Sequence, residues 1–360
     1  MTPMARLPWR GVVREYAEWL PLSDPSAAIT LGEGGTALIT STWLSGLTGC
    51  DVRLKVEGTN PTGSFKDRGM TVAISAAVVQ GATAVVCAST GNTSASMAAY
   101  ACRAGLLPLV LVPHGRISRA KMAQAILHGA RILSVETGFD GCLDLARALA
   151  KDYPVALVNS VNPFRLEGQK TAAFEIVDAL GEAPDIHVLP VGNAGNISAY
   201  WKGFCQYADA GRASSRPALW GFQAEGAAPL VTGRAIEHPQ TVASAIRIGN
   251  PASWLLAESA RDESGGLIGA VSDDEILAAQ RQLASVDGVF VEPASAAGAA
   301  GLAARSAKKP LPRGLTVTVT VTGHGLKDVE TSLDFRGGVV DAAVPADIAA
   351  VAGAAGLDRA

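Results

Sequence analysis

The sequence predicts an α/β protein built on parallel β-sheets that carry helices on both faces. Short apolar runs such as Ala84–Ala88 and Leu107–Val112 alternate with helix-like segments along most of the chain. These runs are almost continuously apolar, which is typical of strands buried on both faces of a parallel sheet. The chain has 360 residues, of which 48 % are hydrophobic, so it can bury a large core as two domains or one large unit.

The predicted elements follow one another in a regular order. A short helix at about residues 10–20 belongs to an N-terminal arm, and the glycines of Leu31–Thr36 predict a loop after it. Strands are predicted at residues 51–57, 84–88, 107–112, 131–135, 155–158, 186–191, 219–224 and 315–321. Helices are predicted at residues 66–79, 92–103, 118–128, 140–151, 166–180, 196–208, 274–286 and 295–305. We expect Ser118 to cap one of these helices and the tail from Val339 to be helical or frayed.

Charge, hydropathy and cysteine content argue against several classes of protein. The formal net charge is −3 and there is no basic run, which disfavours a nucleic-acid partner. The longest apolar runs, such as Leu106–Pro113, are too short to span a bilayer, and the arginine-bearing N-terminus is unlike a signal peptide. The five cysteines and five histidines are dispersed without CxxC or HxxxH spacing, so we expect no metal site and buried thiols in a reducing compartment. The sequence therefore predicts a soluble cytoplasmic protein.

One lysine stands at a predicted loop-to-helix junction. Lys66 lies within Asn60–Gly69, behind small and turn-forming residues. A lysine that forms a Schiff base must be held by backbone and be partly neutral near pH 7, which burial or a nearby positive charge brings about. Taken alone, Lys66 is explained more simply as a solvated residue of a first helical turn. Gly58–Ser64 imitates a Walker A loop, but Ser64 stands where its lysine belongs, which argues against an NTPase.

Two loops that follow predicted strands are suited to anions. Ser89–Ser94 offers hydroxyl and N–H groups at a helix start, where they receive a substrate carboxylate or merely cap the helix. Gly192–Asn196 follows another strand, and its glycines let the backbone approach a phosphate. The alternative for this second loop is a tight turn. It lacks the GxGxxG pattern, so a dinucleotide-dependent oxidoreductase is disfavoured.

Two further strand ends carry polar side chains. Asn159–Arg165 places amide, hydroxyl and guanidinium groups together, and Arg165 can hold a phosphate or carboxylate with two N–H groups. Without context, a surface salt bridge is the better explanation of Arg165. Thr322 offers a hydroxyl at the end of the strand 315–321, although a threonine there is usually structural. Ligands of parallel α/β sheets bind at such strand ends.

Taken together, these segments resemble the fold type II pyridoxal-phosphate enzymes, which share a tryptophan synthase β-like fold. They resemble in particular the threonine synthases of the shorter bacterial and archaeal class. The resemblance covers most of the chain, from about Leu31 to Asp328. It is carried by GEGGT at Gly32–Thr36, NPTGSFKDRG at Asn60–Gly69, STGNTSAS at Ser89–Ser96, NSVNPFRLEGQKTAAFEI at Asn159–Ile176, GNAGN at Gly192–Asn196, VEPASAA at Val291–Ala297 and VTGHGLKD at Val321–Asp328.

The chain departs from the threonine synthase pattern at two positions, and it resembles related pyridoxal-phosphate enzymes less closely. Ala37 follows GGT where the family usually has proline, and His324 stands where many members have asparagine. We expect the first change to affect loop stiffness and the second to tune the cofactor site, without loss of activity. Cysteine synthases and serine/threonine dehydratases are less similar to this chain in GEGGT, FKDRG and LEGQKTAAFEI.

The resemblance implies a role for each matching residue. Lys66 would form the Schiff base with pyridoxal 5'-phosphate and later move protons. Asn92 would hydrogen-bond the phenolic oxygen of the cofactor, and Thr322 would face its pyridine nitrogen. The cofactor phosphate would be held by Gly192, Asn193, Ala194, Gly195 and Asn196. The substrate carboxylate would be bound by Ser89, Thr90 and Thr93, and the substrate phosphate by Asn159, Ser160 and Arg165.

The resemblance also implies the reaction and the architecture. A threonine synthase converts O-phospho-L-homoserine and water to L-threonine and phosphate by γ-elimination and β-addition. A dehydratase-like lyase acting on free serine or threonine would not need Arg165, and a cofactor-binding homologue without turnover is the other alternative. We expect a homodimer whose subunits have two α/β domains with the cofactor in the cleft. The large domain would comprise residues 1–75 plus 156–360, and the small domain residues 76–155.

Overall fold

Two β-sheets organise the computed structural model, which describes residues 8–115, 119–333 and 343–357. The strands are β1 (Leu38–Thr40), β2 (Asp51–Val56), β3 (Ala84–Ala88), β4 (Leu107–Pro113), β5 (Arg131–Val135), β6 (Val155–Leu157), β7 (Ile186–Pro190), β8 (Ala218–Ala224), β9 (Leu267–Val271) and β10 (Thr316–Val321). The larger sheet has six strands in the order β1-β2-β10-β7-β8-β9. The smaller sheet has four strands in the order β5-β4-β3-β6.

Helices connect the strands and cover the sheets. They are α1 (Val12–Glu15), α2 (Thr42–Thr48), α3 (Lys66–Val79), α4 (Asn92–Ala104), α5 (Arg119–Leu127), α6 (Phe139–Asp152), α7 (Pro163–Leu180), α8 (Gly195–Asp209), α9 (Pro229–Thr232), α10 (Trp254–Glu263), α11 (Asp273–Ser285), α12 (Pro293–Lys308), α13 (Val329–Leu333) and α14 (Ile348–Ala354). This alternation confirms the predicted α/β class.

The larger sheet is not wholly parallel, which corrects the expectation of purely parallel sheets. β1 runs antiparallel to β2, with Leu38 opposite Lys55, whereas the other strand pairs are parallel. Several short elements were not predicted: β1, β9, α2, α9, α10 and α13. β1 has only three residues, and Gly46 in α2 and Gly269 in β9 weaken the local signal. α10 has Ser253 at its N-cap position, but the serine side chain makes no capping hydrogen bond.

Some predicted boundaries also move. α1 covers only Val12–Glu15, and a 3-10 turn at Ala17–Trp19 follows it. α7 begins at Pro163 rather than at residue 166, because Asn162 accepts a hydrogen bond from the Phe164 N–H at 2.9 Å and proline suits a first turn. The expected cap Ser118 lies outside the described residues. Of the tail from Val339, the described part contains the helix α14.

The centre of the larger sheet places two of the predicted loops side by side. β10 lies between β2 and β7, and Val317, Val319 and Val321 are fully buried against the alanine-rich α12. β10 and β7 are parallel, so their carboxyl ends lie at the same edge of the sheet. The segments that begin at Thr322 and Gly192 follow those ends, where ligands bind in parallel sheets.

Helix α3 packs between the two sheets. Met70 and Ile74 are fully buried and pack with Val85 of β3 in the core of the smaller sheet, while the start of α3 follows the larger sheet. The predicted domain boundaries fall inside α3 and inside β6. The division into residues 1–75 plus 156–360 and residues 76–155 therefore stays a prediction.

The described ranges also bear on membrane and metal binding. In them, no helix is both long and apolar enough to cross a membrane. No group of three or more His, Cys, Asp or Glu side chains within the same ranges is placed to hold a metal ion. The five cysteines are free, and Cys102 is exposed rather than buried.

Candidate active site

Lys66 is the first residue of α3 and is held against the end of β10. The loop before it is pinned by two backbone hydrogen bonds. The Phe65 N–H donates to the Thr322 carbonyl at 2.9 Å, and the His324 N–H donates to the Gly63 carbonyl at 2.9 Å. Gly63 has φ 82°, in the left-handed region that favours glycine. The loop therefore fixes the start of α3, and with it Lys66, beside the strand that ends at Thr322.

The surroundings of Lys66 favour a neutral amine. Its Nζ lies 4.4 Å from the centroid of the Phe65 ring. Burial, and to a smaller extent the Arg165 guanidinium, lower the pKa of Lys66 to about 7 against the opposing effect of the Glu292 carboxylate. Both conditions that a Schiff-base lysine requires, backbone support and a substantial neutral fraction near pH 7, are thus met.

Asp67, the next residue, joins α3 to α4. It is fully buried and accepts hydrogen bonds from the Thr62 N–H at 2.7 Å, the Thr62 hydroxyl at 2.6 Å and the Ser96 hydroxyl at 2.6 Å. Burial raises the pKa of Asp67 to about 6, although these hydrogen bonds oppose the shift. The bond to Ser96 ties the Lys66 loop to the helix that carries Asn92. Sequence analysis gave Asp67 no role.

The loop of Gly192–Asn196 has the geometry of an anion receptor. It follows β7 and opens α8, where Ala194 has φ 65°. Among the described residues, Ala194 is the one non-glycine with a positive φ, a conformation that costs about 1 kcal/mol or more. The Nδ2 of Asn196 is buried and has no hydrogen-bond partner among the described residues. A strained turn with an unpaired donor at a helix N-terminus suits a bound phosphate.

Thr322 is paired with a serine that sequence analysis did not identify. The Thr322 side chain is buried, and its Oγ1 lies 2.8 Å from the Oγ of Ser295. The Gly323 N–H donates to the same Ser295 oxygen at 2.7 Å. Two neutral hydroxyls are therefore paired at the end of β10.

Asn92 is engaged by a buried carboxylate that was also missed. It is the first residue of α4, and its Nδ2 donates to Glu292 Oε1 at 2.9 Å and Oε2 at 3.2 Å. Burial raises the pKa of Glu292 to about 7, while Lys327, Asn92 and Lys66 favour its ionised form. Glu292 lies within the VEPASAA motif, so the motif carried a signal that had been given no chemical role.

The predicted substrate residues lie on two loops that are tied together. Ser89 and Thr90 are half-buried and Thr93 is buried. Asn159 accepts from the Ala88 N–H at 3.0 Å and donates to the Ala88 carbonyl at 3.0 Å. The Asn159 amide thereby supports the loop that begins at Ser89. Its direct contact with a substrate phosphate, like that of the half-buried Ser160, stays a prediction.

Arg165 has the most unusual environment in the site. It is fully buried in α7, and its Nη1 donates to the Val158 carbonyl at 2.8 Å. Its Nε and Nη2 have no hydrogen-bond partner among the described residues. Burial lowers the pKa of Arg165 to about 10. The expectation of a surface salt bridge, which the isolated sequence favoured, is therefore wrong, because the guanidinium is buried and has no carboxylate partner among the described residues.

Comparisons with known proteins agree with this geometry. The family model described as "Pyridoxal-phosphate dependent enzyme" matches residues 29–323. The chain is 57 % identical over 351 residues to the threonine synthase of Mycobacterium tuberculosis, covering 97 % of both chains. It is 53 % identical to the threonine synthase of Synechocystis, covering 97 % of this chain and 91 % of the relative. The chain belongs to the threonine synthases of the pyridoxal-phosphate dependent enzyme family.

Solved structures support the fold of this family. The structure of maize serine racemase superimposes with a TM-score of 0.70, covering 81 % of this chain and 88 % of that chain, at 21 % identity. At that identity the likeness concerns the fold alone. Together with the family match, it confirms the predicted fold type II architecture.

The site residues of this threonine synthase family member fit pyridoxal phosphate. Lys66 supplies a depressed-pKa amine, and the strained Ala194 turn and the unpaired Asn196 amide supply a phosphate receptor. The Thr322–Ser295 pair supplies neutral hydroxyls for the edge of an aromatic ring. Lys66 would hold the cofactor covalently, Gly192–Asn196 would hold its phosphate, and Asn92 and Thr322 would contact its ring.

Three of the motifs on which the family resemblance rests meet in a buried ion cluster near the start of α3. Arg68 donates to Glu57 Oε2 at 2.7 Å and to Glu175 Oε1 at 2.5 Å, and Lys55 donates to Glu175 Oε2 at 2.6 Å. The Gly35 N–H of GEGGT donates to Glu175 at 2.9 Å. GEGGT, FKDRG and LEGQKTAAFEI thus contribute to one structural unit that supports α3.

Proposed function

We propose that the protein converts O-phospho-L-homoserine and water to L-threonine and phosphate. The observation that carries this proposal is Arg165, a fully buried guanidinium with two nitrogens that have no hydrogen-bond partner among the described residues, whose charge lowers the pKa of Lys66. A buried cation without a carboxylate partner is costly unless a ligand anion completes it. Since the cofactor phosphate has its own receptor at Gly192–Asn196, Arg165 is available to the phosphate of the substrate.

The chain's residues divide the work of binding between two ends of the substrate. Ser89, Thr90 and Thr93 bind the α-carboxylate through hydroxyl and backbone N–H groups at the start of α4. Arg165 binds the γ-phosphate through Nε and Nη2, with Asn159 and Ser160 beside it. The substrate is thereby held at both ends, with its reacting carbons beside the amine of Lys66.

Lys66 moves the protons. When bound, pyridoxal phosphate supplies an electron sink for charge at the α-carbon. The neutral Nζ of Lys66 takes the α-proton, which its depressed pKa permits near pH 7. Loss of a β-proton accompanies departure of phosphate from the γ-carbon. A proton is then added to the γ-carbon, water adds its hydroxyl at the β-carbon, and a proton returns to the α-carbon, while the remaining proton of the water leaves with the phosphate. Lys66 is the base available for these transfers.

An assay with three substrates tests the proposal. The holoenzyme is incubated with O-phospho-L-homoserine, L-serine and L-threonine, and release of phosphate and of 2-oxo acids is measured. We expect phosphate and threonine from the first substrate at a far higher kcat/KM than deamination of the other two. Faster deamination would instead identify a serine/threonine dehydratase-like lyase. A normal cofactor absorbance without turnover of any of them would identify a binding homologue.

We also propose a cytoplasmic homodimer of two-domain subunits, with the large domain formed by residues 1–75 plus 156–360 and the small domain by residues 76–155. The dimer and the domain division are supported by the resemblance to the family. The location is supported by the dispersed free cysteines. Light scattering coupled to size-exclusion chromatography measures the oligomeric state directly, and a monomeric mass would contradict the proposed homodimer.

A further inference from the structure

Glu292 lies where the predicted cofactor contacts converge. Its side chain is 5 % exposed, and both of its carboxylate oxygens accept from the Asn92 amide. Its N–H donates to the Gly323 carbonyl at 3.0 Å. A Cβ built on Gly323 would lie 2.3 Å from Glu292 Oε1, so the carboxylate rests directly on the backbone that follows Thr322. Glu292 therefore contacts both the Asn92 and the Thr322 sides of the site.

The charged groups around Glu292 come from α3 and from the turn after β10. Lys66 of α3 and Lys327 favour the ionised carboxylate, and Asp328 disfavours it. Lys327 is itself occupied, because its Nζ donates to the Thr62 carbonyl at 3.0 Å and contacts Gln124. His324 lies in the same turn and is bridged to Val291. α4 contributes Asn92, which is neutral.

This arrangement leaves one N–H of the Asn92 amide for the cofactor. An amide nitrogen carries two hydrogens, and Glu292 takes the first. The phenolic oxygen of pyridoxal phosphate bears negative charge, and a second anion on the same amide would repel it. A neutral carboxyl group at Glu292 would remove that repulsion while still accepting the Asn92 hydrogen bond.

We infer that Glu292 is a positioning residue that holds the Asn92 amide for the cofactor and takes up a proton from solvent when the cofactor binds. This inference rests on the proposed assignment of Asn92 to the phenolic oxygen. Burial raises the pKa of Glu292 to about 7, so protonation is accessible near neutral pH. Above that pH, Glu292 is ionised in the free protein, so cofactor binding requires it to take up a proton, and the affinity for cofactor falls as the pH increases.

The test measures binding of pyridoxal phosphate to apoprotein from pH 6 to pH 9, by absorbance and protein fluorescence, without any amino-acid substrate. Because Lys66 titrates in the same range, the Glu292 effect is measured relative to Glu292→Gln: wild-type affinity should fall against that variant above about pH 7, approaching a tenfold relative loss per pH unit where Glu292 is fully ionised in the free protein. In Glu292→Gln, the uncharged isostere keeps an acceptor for Asn92. Its affinity should therefore match wild type at pH 6.5 and show no Glu292-dependent loss at higher pH.

Two further variants separate positioning from charge. Glu292→Ala removes the acceptor, and we expect about tenfold weaker cofactor binding even at pH 6.5. Glu237→Gln makes the same change of charge at an exposed position outside the proposed site residues and should retain the wild-type profile. Circular dichroism verifies folding, and if the alanine variant does not fold, the glutamine variant alone decides the proton uptake.

A Glu292→Gln profile identical to wild type would overturn the proton uptake, and unaltered binding by a folded Glu292→Ala would overturn the positioning role. Neither result depends on turnover. A protein that shows the expected binding profiles but releases no phosphate from O-phospho-L-homoserine would contradict the proposed function and leave this inference standing.

Discussion

Two buried arginines, Arg68 in α3 and Arg165 in the adjoining α7, have opposite environments. Arg68 donates from all three nitrogens to Glu57 and Glu175, with Thr36 and Thr171 as further acceptors. Arg165 has one protein acceptor, the Val158 carbonyl, and two nitrogens without a partner among the described residues. Both side chains are essentially inaccessible to solvent. The two arginines therefore differ in their hydrogen-bond acceptors and not in their degree of burial.

This difference in hydrogen bonding distinguishes an arginine that stabilises the fold from one that can bind a ligand. A buried charge that belongs to the scaffold is paired and fully hydrogen-bonded, as Arg68 is. A buried charge left without partners raises the free energy of the ligand-free protein and is expected where a ligand will complete it. The sequence alone does not distinguish the two arginines, but their hydrogen bonds do.

Removing Lys66 should have the largest effect, because it eliminates the reactive group and leaves the scaffold intact. We expect Lys66→Ala to lose cofactor attachment and to reduce turnover by about 10³-fold or more. Its free energy of unfolding should not fall, since the lysine is held with a depressed pKa. Phosphate release and urea denaturation measure the two effects. Turnover near the wild-type value would exclude Lys66 as the base, and the exposed Lys151→Ala is the control.

Replacing Arg68 should have the largest effect on stability. Arg68→Met leaves Glu57 and Glu175 without their main partner, and breaking a buried ion pair costs about 3–5 kcal/mol. We expect that loss in the free energy of unfolding, measured by urea denaturation of the apoprotein. An unchanged unfolding midpoint would show that the ion cluster of Arg68, Glu57 and Glu175 is not needed for stability. Arg68 and Arg165 would then not differ in their contribution to the fold.

The same substitution at Arg165 should act on the substrate instead. Arg165→Met removes an unpaired buried charge, so we expect an equal or higher free energy of unfolding. The KM for O-phospho-L-homoserine should rise by about 10–100-fold, since hydrogen bonds to a charged group contribute about 1.5–3 kcal/mol. The cofactor dissociation constant should change much less. An unaltered KM would remove Arg165 from the phosphate site.

The smallest effect should be a shift in the pH dependence of the rate of cofactor attachment. Attachment of the cofactor needs the neutral amine of Lys66, so its rate should rise as the pH increases through about 7, the pKa of Lys66. The Arg165 guanidinium helps to lower that pKa, so Arg165→Met should move the midpoint to higher pH, by about one unit or less. Stopped-flow absorbance of apoprotein mixed with pyridoxal phosphate measures it. A midpoint that does not move would show that Lys66 does not sense Arg165.

Sequence alone predicted the α/β class and the long, strongly periodic elements. It missed the short ones, because three-residue strands and glycine-containing segments carry little pattern. For the site, motifs pointed to Lys66, Asn92, Gly192–Asn196 and Thr322. They could not reveal Glu292, Ser295 or Asp67 as partners, because those contacts join segments that are far apart in the chain and depend on side-chain direction. The burial of Arg165 likewise follows from packing and not from local sequence.

The two hydrogen bonds between Asn159 and Ala88 have a consequence for which substrates fit. They join the end of β3, after which Ser89 and Thr90 follow, to the segment after β6 that leads to Arg165. The binding groups proposed for the carboxylate and the phosphate are therefore held at a fixed distance from each other, and that distance selects the length of the carbon chain between the two anions of the substrate. O-phosphoserine is one methylene shorter and would not reach both groups at once.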